Sequence, residues 1–173
     1  MPTVYDTKPV AEIRTAARDN ARGVLESYWD GTLPVDPIRI SRDLGVEVWT
    51  AQLGTDVYGM ITGKPSETNI YLDVDQAPVR MRFTCAHELG HYVERSSRLT
   101  EDDSEFAEID RRSDEDHGKG IEVFANEFAA SILMPEEAVR NFHMQKVSSF
   151  EMAKRFNVSH RAMSLRLMHL ALS

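Results

Sequence analysis

The 173-residue sequence predicts an α+β domain, a small sheet of about three strands packed against helices and followed by a C-terminal helical segment. Three observations predict it. Apolar residues recur at helical intervals on both sides of a short central region. That region, Val46 to Leu72, carries stretches that alternate apolar and polar residues. The segment Ile121 to Leu133 is almost wholly apolar, as a buried central helix requires. The length is that of one domain, and 42% hydrophobic residues furnish a substantial core. The expected organisation is a main domain over 1–139 and a basic helical tail over 140–173, packed on it.

In order along the chain, Ile13, Ala17, Ala21, Leu25 and Tyr28 share one helical face, which predicts an amphipathic opening helix over about Val10 to Tyr28. Asp36-Pro37-Ile38 supplies an N-cap and a proline at the first helical position, and Leu44-Gly45 a stop, so a short second helix fits between them. Val46 to Trp49, Val57 to Ile61 and Ile70 to Leu72 read as strands, the last two joined as a hairpin across the turn-forming residues Thr62 to Asn69. Asp75 and Pro78 open a long helix that runs to about Glu94. From Arg95 to Gly120 the chain is polar, with nine acids against Arg111 and Arg112 between Glu101 and Asp116, and the charge pattern predicts a solvated connection. After the apolar segment, Pro135 starts a further short helix, and two more are expected over Ser149 to Phe156 and Ser159 to Leu170.

Net charge is −8, which repels a nucleic acid backbone at long range. The tail differs: from Arg140 to Ser173 six Lys or Arg face only Glu151, a net +5 that leaves −13 for the remainder. Ala153 to Ser159, followed by Met163, has the small residue, turn and apolar spacing of a helix-turn-helix. Arg166, however, falls where a second apolar residue of a recognition helix is expected. The tail therefore reads as a packing or partner-binding element before a DNA reader. The single cysteine, Cys85, suits a reducing compartment and excludes a cysteine-based metal site. Neither a signal sequence nor an apolar window long enough to span a bilayer is visible, so a cytoplasmic protein without a membrane partner is expected.

His87-Glu88-Leu89-Gly90-His91 is the part of the sequence that carries chemistry. Two imidazoles at i and i+4 lie about 40° apart around a helix and roughly 6 Å along it, so both reach one cation. Zinc accepts neutral imidazole nitrogens and needs one further protein ligand if a position is to stay open for chemistry. Glu88 projects beside them, placed to act as general base. An interior helical glycine costs about 1 kcal/mol relative to alanine, so Gly90 implies either room beside this face or close helix packing. A third histidine further along the same helix would need glycine at position 94 and histidine at 97, where the chain has Glu94 and Ser97. A carboxylate from the apolar segment is the remaining source. Two i,i+4 polar stripes lie there, Glu122/Asn126 and Glu127/Ser131, and periodicity does not choose between them. Cys85 points away from the His87 face as a core thiol, His117 reads as a surface residue, and His143, His160 and His169 lack ligand spacing.

Arg82 to Tyr92, RFTCAHELGHY, followed by Glu122 to Pro135, EVFANEFAASILMP, closely resembles the ImmA/IrrE family of metallopeptidases. Val35-Asp36-Pro37 with Leu44-Gly45, and Tyr58-Gly59-Met60-Ile61, resemble the family's entry helix and the strand beside its cleft. The resemblance implies a zincin-like fold, zinc as cofactor, and Glu122 as third ligand with His87 and His91, Asn126 then orienting the site. It implies an intracellular endopeptidase that cleaves a helix-turn-helix repressor, with Val57 to Ile61 as a sheet edge along which substrate would pair. The alternatives are a regulatory protein that keeps the metal and binds a repressor without turnover, and a DNA-binding regulator acting through the tail.

Overall fold

The computed structural model describes residues 5, 7–64, 66–97, 105–111 and 120–172. The chain order is α1 (Val10–Tyr28), α2 (Pro37–Asp43), β1 (Val46–Ala51), β2 (Val57–Lys64), β3 (Glu67–Asp73), α3 (Pro78–Ser97), β4 (Phe106–Arg111), α4 (Gly120–Leu133), α5 (Glu136–Met144), α6 (Ser149–Phe156) and α7 (His160–His169). The fold is the expected α+β arrangement. Among the described residues, no helix is long and apolar enough to cross a membrane.

Local chemistry accounts for the element ends. Asp36 caps α2 by accepting hydrogen bonds from the backbone N–H groups of Ile38 and Arg39 at 3.0 and 3.2 Å, and Pro37 occupies the first turn, where no N–H is needed. Ser148 and Ser159 accept from Glu151 N and Ala162 N to cap α6 and α7. Asn157, in the left-handed region at φ 52°, closes α6.

The sheet order is β1-β3-β2-β4, with β1 and β3 parallel and the other pairs antiparallel. Two expectations are corrected here. The sheet has four strands, because Phe106–Arg111, inside the acidic stretch read as a solvated connection, is β4. It pairs with β2 in the register Ile61 to Glu108 and Gly59 to Asp110. Consequently Val57 to Ile61 is not an edge; β4 and β1 are the edges among the described residues. The reason is an inverted alternation. Along β4 the half-buried positions are Phe106, Glu108 and Asp110, while Ala107 and Ile109 face outward. A pattern of acids inside and apolar residues outside is the reverse of the usual half-buried strand. The rest of the acidic stretch, and His117 with it, lies outside the described residues.

The sheet rests on α3 through β2 and β3, α3 packs along α4, and α1 packs along α4 in turn. Ala17 and Ala21, wholly buried and one turn apart, let the α1 backbone approach α4 closely. The main core runs through Ile40, Val46, Ile61, Ile70, Leu72, Leu89, Phe124, Phe128 and Ile132. A second apolar cluster joins Met134 and Val139 to Met152, Phe156, Met163 and Leu167 of the last helices.

Two glycines set the distances around α3. A Cβ on Gly90 would lie 3.1 Å from Ala125 Cα and 3.2 Å from the Phe128 ring, so of the two roles left open for this residue the helix-packing one is seen. A Cβ on Gly59 would lie 2.5 Å from Thr84 Cγ2, and Thr84 is fully buried and donates to Gln76 Oε1. Gly59→Ala is expected to destabilise by about 1–3 kcal/mol, because β2 or α3 must shift to admit the methyl group. Chemical denaturation with an unchanged m-value checks this; an unaltered midpoint would show that the contact relaxes freely.

Candidate metal centre

The middle of α3 is wholly inside the fold, and its buried run includes His87, Glu88 and His91 at 4%, 1% and 5% exposure. The helix brings the two imidazoles onto one face, and α4 presents Glu122 to them. His87 Nε2 and His91 Nε2 are 3.1 Å apart. Glu122 spans both, its Oε2 3.2 Å from His87 Nε2 and its Oε1 3.3 Å from His91 Nε2. The two imidazole nitrogens and the Glu122 carboxylate, which offers one oxygen to each, thus converge on one point. Bonds of about 2.0–2.1 Å to a tetrahedral zinc place neighbouring ligands about 3.3 Å apart, the scale of the 3.1 Å between the nitrogens and of the 3.2 and 3.3 Å from each nitrogen to its nearer carboxylate oxygen. Two imidazoles and one carboxylate also match the nitrogen and oxygen donors that zinc takes in open sites.

The other ring nitrogen of each histidine is engaged. His87 Nδ1 lies 3.0 Å from Asn126 Oδ1, which gives this half of the Glu122/Asn126 stripe the orienting place the sequence suggested. His91 Nδ1 lies 2.9 Å from Glu108 Oε2 on β4, a bent contact in which the carboxylate sits off the ring N–H direction. Glu108 uses its other oxygen to accept from Arg95 Nη2 at 2.5 Å, and the Arg95 guanidinium lies 4.0 Å over the Phe106 ring. Although burial acts to raise it, the His91 and Arg95 contacts hold the Glu108 carboxyl at about 2, well below the usual carboxylate range. Burial likewise acts to raise Glu122, and the hydrogen bonds to both histidines more than reverse it, so its pKa is lowered.

Glu88 stands apart from these pairs. Both of its oxygens are buried without a hydrogen-bond partner among the described residues, and burial pushes the carboxyl up to about 7 against the opposing pull of His91 and His87. Unpartnered buried carboxylate oxygens are costly and rare in a fold that has no use for them. Gly59 of β2 passes close by: a Cβ there would lie 3.4 Å from Glu88 Oε1. Asp110, also on β4, groups with His87 and Glu88, with ligand atoms within 4.8 Å of one another. Arg80 approaches Asp110 Oδ2 at 3.9 Å while lying 4.1 Å over the Tyr58 ring.

Residues flanking the ligand set also line a mostly apolar groove of about 600 Å³ between α3, α4 and α7, with Phe83, Val123, Asn126, Ala130 and Leu165 among its walls. The second polar stripe of α4 does not face water either. Glu127 and Ser131 are each 4% exposed, and Glu127 pairs with arginines of α1 and α7. Cys85 is fully buried, 3.8 Å from Ser41 Oγ, and burial pushes its thiol up to about 12, an inert core residue as expected. The contribution that sequence reasoning missed is that of β4, whose Glu108 and Asp110 reach the site from a segment with no apolar-inward period.

Comparisons with known proteins bear on the fold and the family. The radiation response metalloprotease IrrE of Deinococcus radiodurans is 33% identical over 141 residues, which cover 68% of this chain and 42% of that protein. A Mycobacterium tuberculosis transcriptional regulator has a similar structure, with a TM-score of 0.59 at 17% identity over 92% of this chain and 51% of the other, a likeness of fold. The chain therefore spans about half the length of the relatives it matches or less. Residues 42–168 match the Peptidase M78 family, the IrrE N-terminal-like domain, a metallopeptidase-type domain. The chain belongs to that family.

Proposed function

We propose that this chain is a zinc-dependent endopeptidase in which His87, His91 and Glu122 hold the metal and Glu88 is the general base. The observation that carries the reading is the convergence of two imidazole nitrogens 3.1 Å apart and a carboxylate with one oxygen 3.2–3.3 Å from each, set beside a buried carboxylate with no hydrogen-bond partner among the described residues. Zinc bound there would supply Lewis acidity toward a carbonyl oxygen and ease deprotonation of water near neutral pH. Glu88 takes the proton of the attacking water and delivers it to the leaving amine, a task for which both of its oxygens are available. Asn126 fixes the His87 ring so that Nε2 faces the metal position. The apolar groove beside Phe83 and Val123 receives apolar side chains of the polypeptide being cut.

For the substrate we infer a helix-turn-helix repressor, so that cleavage relieves repression inside the cell. Support comes from the resemblance carried by the α3 and α4 motifs and from the likeness to a metalloprotease of the radiation response. The tail, 140–173, acts in this reading as a packing element of the peptidase domain.

The first test is metal analysis of protein purified without added metal. One zinc per chain is expected, and Glu122→Ala should lower zinc affinity at least 10-fold by removing one of three protein ligands. Unchanged affinity in that variant would remove Glu122 from the ligand set.

A further inference from the structure

We propose that Glu108 of β4 is a positioning residue for the metal centre, holding the His91 ring from behind while Arg95 holds Glu108. The inference rests on the metal-site reading above and extends it to a strand outside the α3 and α4 motifs. The two nitrogens of an imidazole leave the ring in different directions, so a group on Nδ1 cannot share the position that Nε2 faces. Glu108 lies against Nδ1 at 2.9 Å, a charge contact off the ring N–H direction and not a hydrogen bond, whereas Glu122 is on Nε2, at 3.3 Å. Glu108 therefore sits behind His91 and is no member of the ligand set. A ligating histidine gains orientation and basicity from a carboxylate at its second nitrogen.

Such a group acts only if it is itself fixed, and three contacts fix this one. Arg95, one turn beyond His91 on α3, donates to the other Glu108 oxygen at 2.5 Å. The Arg95 guanidinium lies 4.0 Å over Phe106, the first residue of β4. The antiparallel ladder with β2 sets Glu108 opposite Ile61, a wholly buried residue of the sheet. His87 has a matching device in Asn126, so each histidine has its own orienting group, one from α4 and one from β4. The inverted alternation of β4 then has a purpose: Glu108 must point inward to do this work.

Competition for zinc against a chelator of known affinity tests the proposal on wild type, Glu108→Ala, Glu108→Gln, His87→Ala and, as a control at an exposed position beside β4, Glu105→Ala. Glu108→Ala is expected to lose 10–100-fold in affinity. Glu108→Gln keeps an acceptor oxygen and should recover part of that loss, while Glu105→Ala should match wild type. Cobalt-loaded Glu108→Ala should also show altered visible absorption bands, because a freer His91 ring changes the ligand geometry. If Glu108→Ala fails to fold, the Gln variant decides, wild-type affinity and spectrum in it overturning the proposal. A folded Glu108→Ala with wild-type affinity and spectrum overturns it as well. If wild type binds no zinc, or His87→Ala binds it as wild type does, the metal reading itself fails; wild-type binding lost in His87→Ala but kept in Glu108→Ala rejects the role of Glu108 alone.

Discussion

Glu88→Gln is expected to lower peptide cleavage about 10²–10⁴-fold while leaving zinc content and partner binding unchanged. The glutamine has nearly the same shape, so neither the packing of α3 nor the His87, His91 and Glu122 set is disturbed. What it loses is the ability to accept and return a proton. The site is built around that ability: Glu88 is 1% exposed, neither oxygen has a hydrogen-bond partner among the described residues, and burial holds its pKa at about 7, inside the range where a base can take a proton and give it back. The measurement is incubation of a candidate helix-turn-helix repressor with wild type and with the variant, followed by mass analysis of fragments. A regulatory protein that works by docking alone would be indifferent to the change. Equal cleavage by both proteins would remove Glu88 from the chemistry; binding without cleavage by either would favour the docking reading.

The helices α2 and α3, and the sharing of one α3 face by His87 and His91, were legible in the sequence because cap and stop signals and i,i+4 spacing are local, requiring nothing beyond neighbouring residues. Glu122 was legible only through resemblance. On period alone Glu122/Asn126 and Glu127/Ser131 were equivalent, and the structure shows why: α4 is enclosed on both stripes, by α3 on one and by α1 and α7 on the other. Period alone cannot rank two polar faces when one is half-buried and the other buried. β4 was illegible for a different reason. Its inward residues are Glu108 and Asp110, whose burial is offset by His91, Arg95 and Arg80 from other elements, and such partners are invisible to charge patterning. That miss also produced the wrong edge strand, since β2 is an edge only when β4 is ignored.

Arg166 had been noted as a polar residue where a helix-turn-helix expects an apolar one, and its surroundings make it the basis of the largest expected stability effect. It is 3% exposed, donates to Met134 O at 3.1 Å, and places Nη1 3.4 Å from Glu127 Oε1. Burial lowers its pKa to about 10, which leaves it charged at neutral pH. The same Glu127 accepts from Arg18 Nε at 2.7 Å and lies 3.8 Å from Arg14 Nε, so one carboxylate neutralises cations from α1 and α7 at once. Glu127→Ala should therefore cost about 3–5 kcal/mol, because it strands buried positive charge. Arg166→Met should cost less, since methionine fills much of the volume and Glu127 keeps Arg18 as partner. The double variant Glu127→Leu/Arg166→Met should recover most of the loss of Glu127→Ala, an apolar pair replacing a buried ionic one. Chemical denaturation of Glu127→Leu, Arg166→Met and their double closes the cycle, with Glu127→Ala measured beside it. A loss below about 1 kcal/mol in Glu127→Ala would mean that the apolar cluster around Met134, Met163 and Leu167 holds α7 unaided, and that the ion pair selects its orientation without adding to its stability.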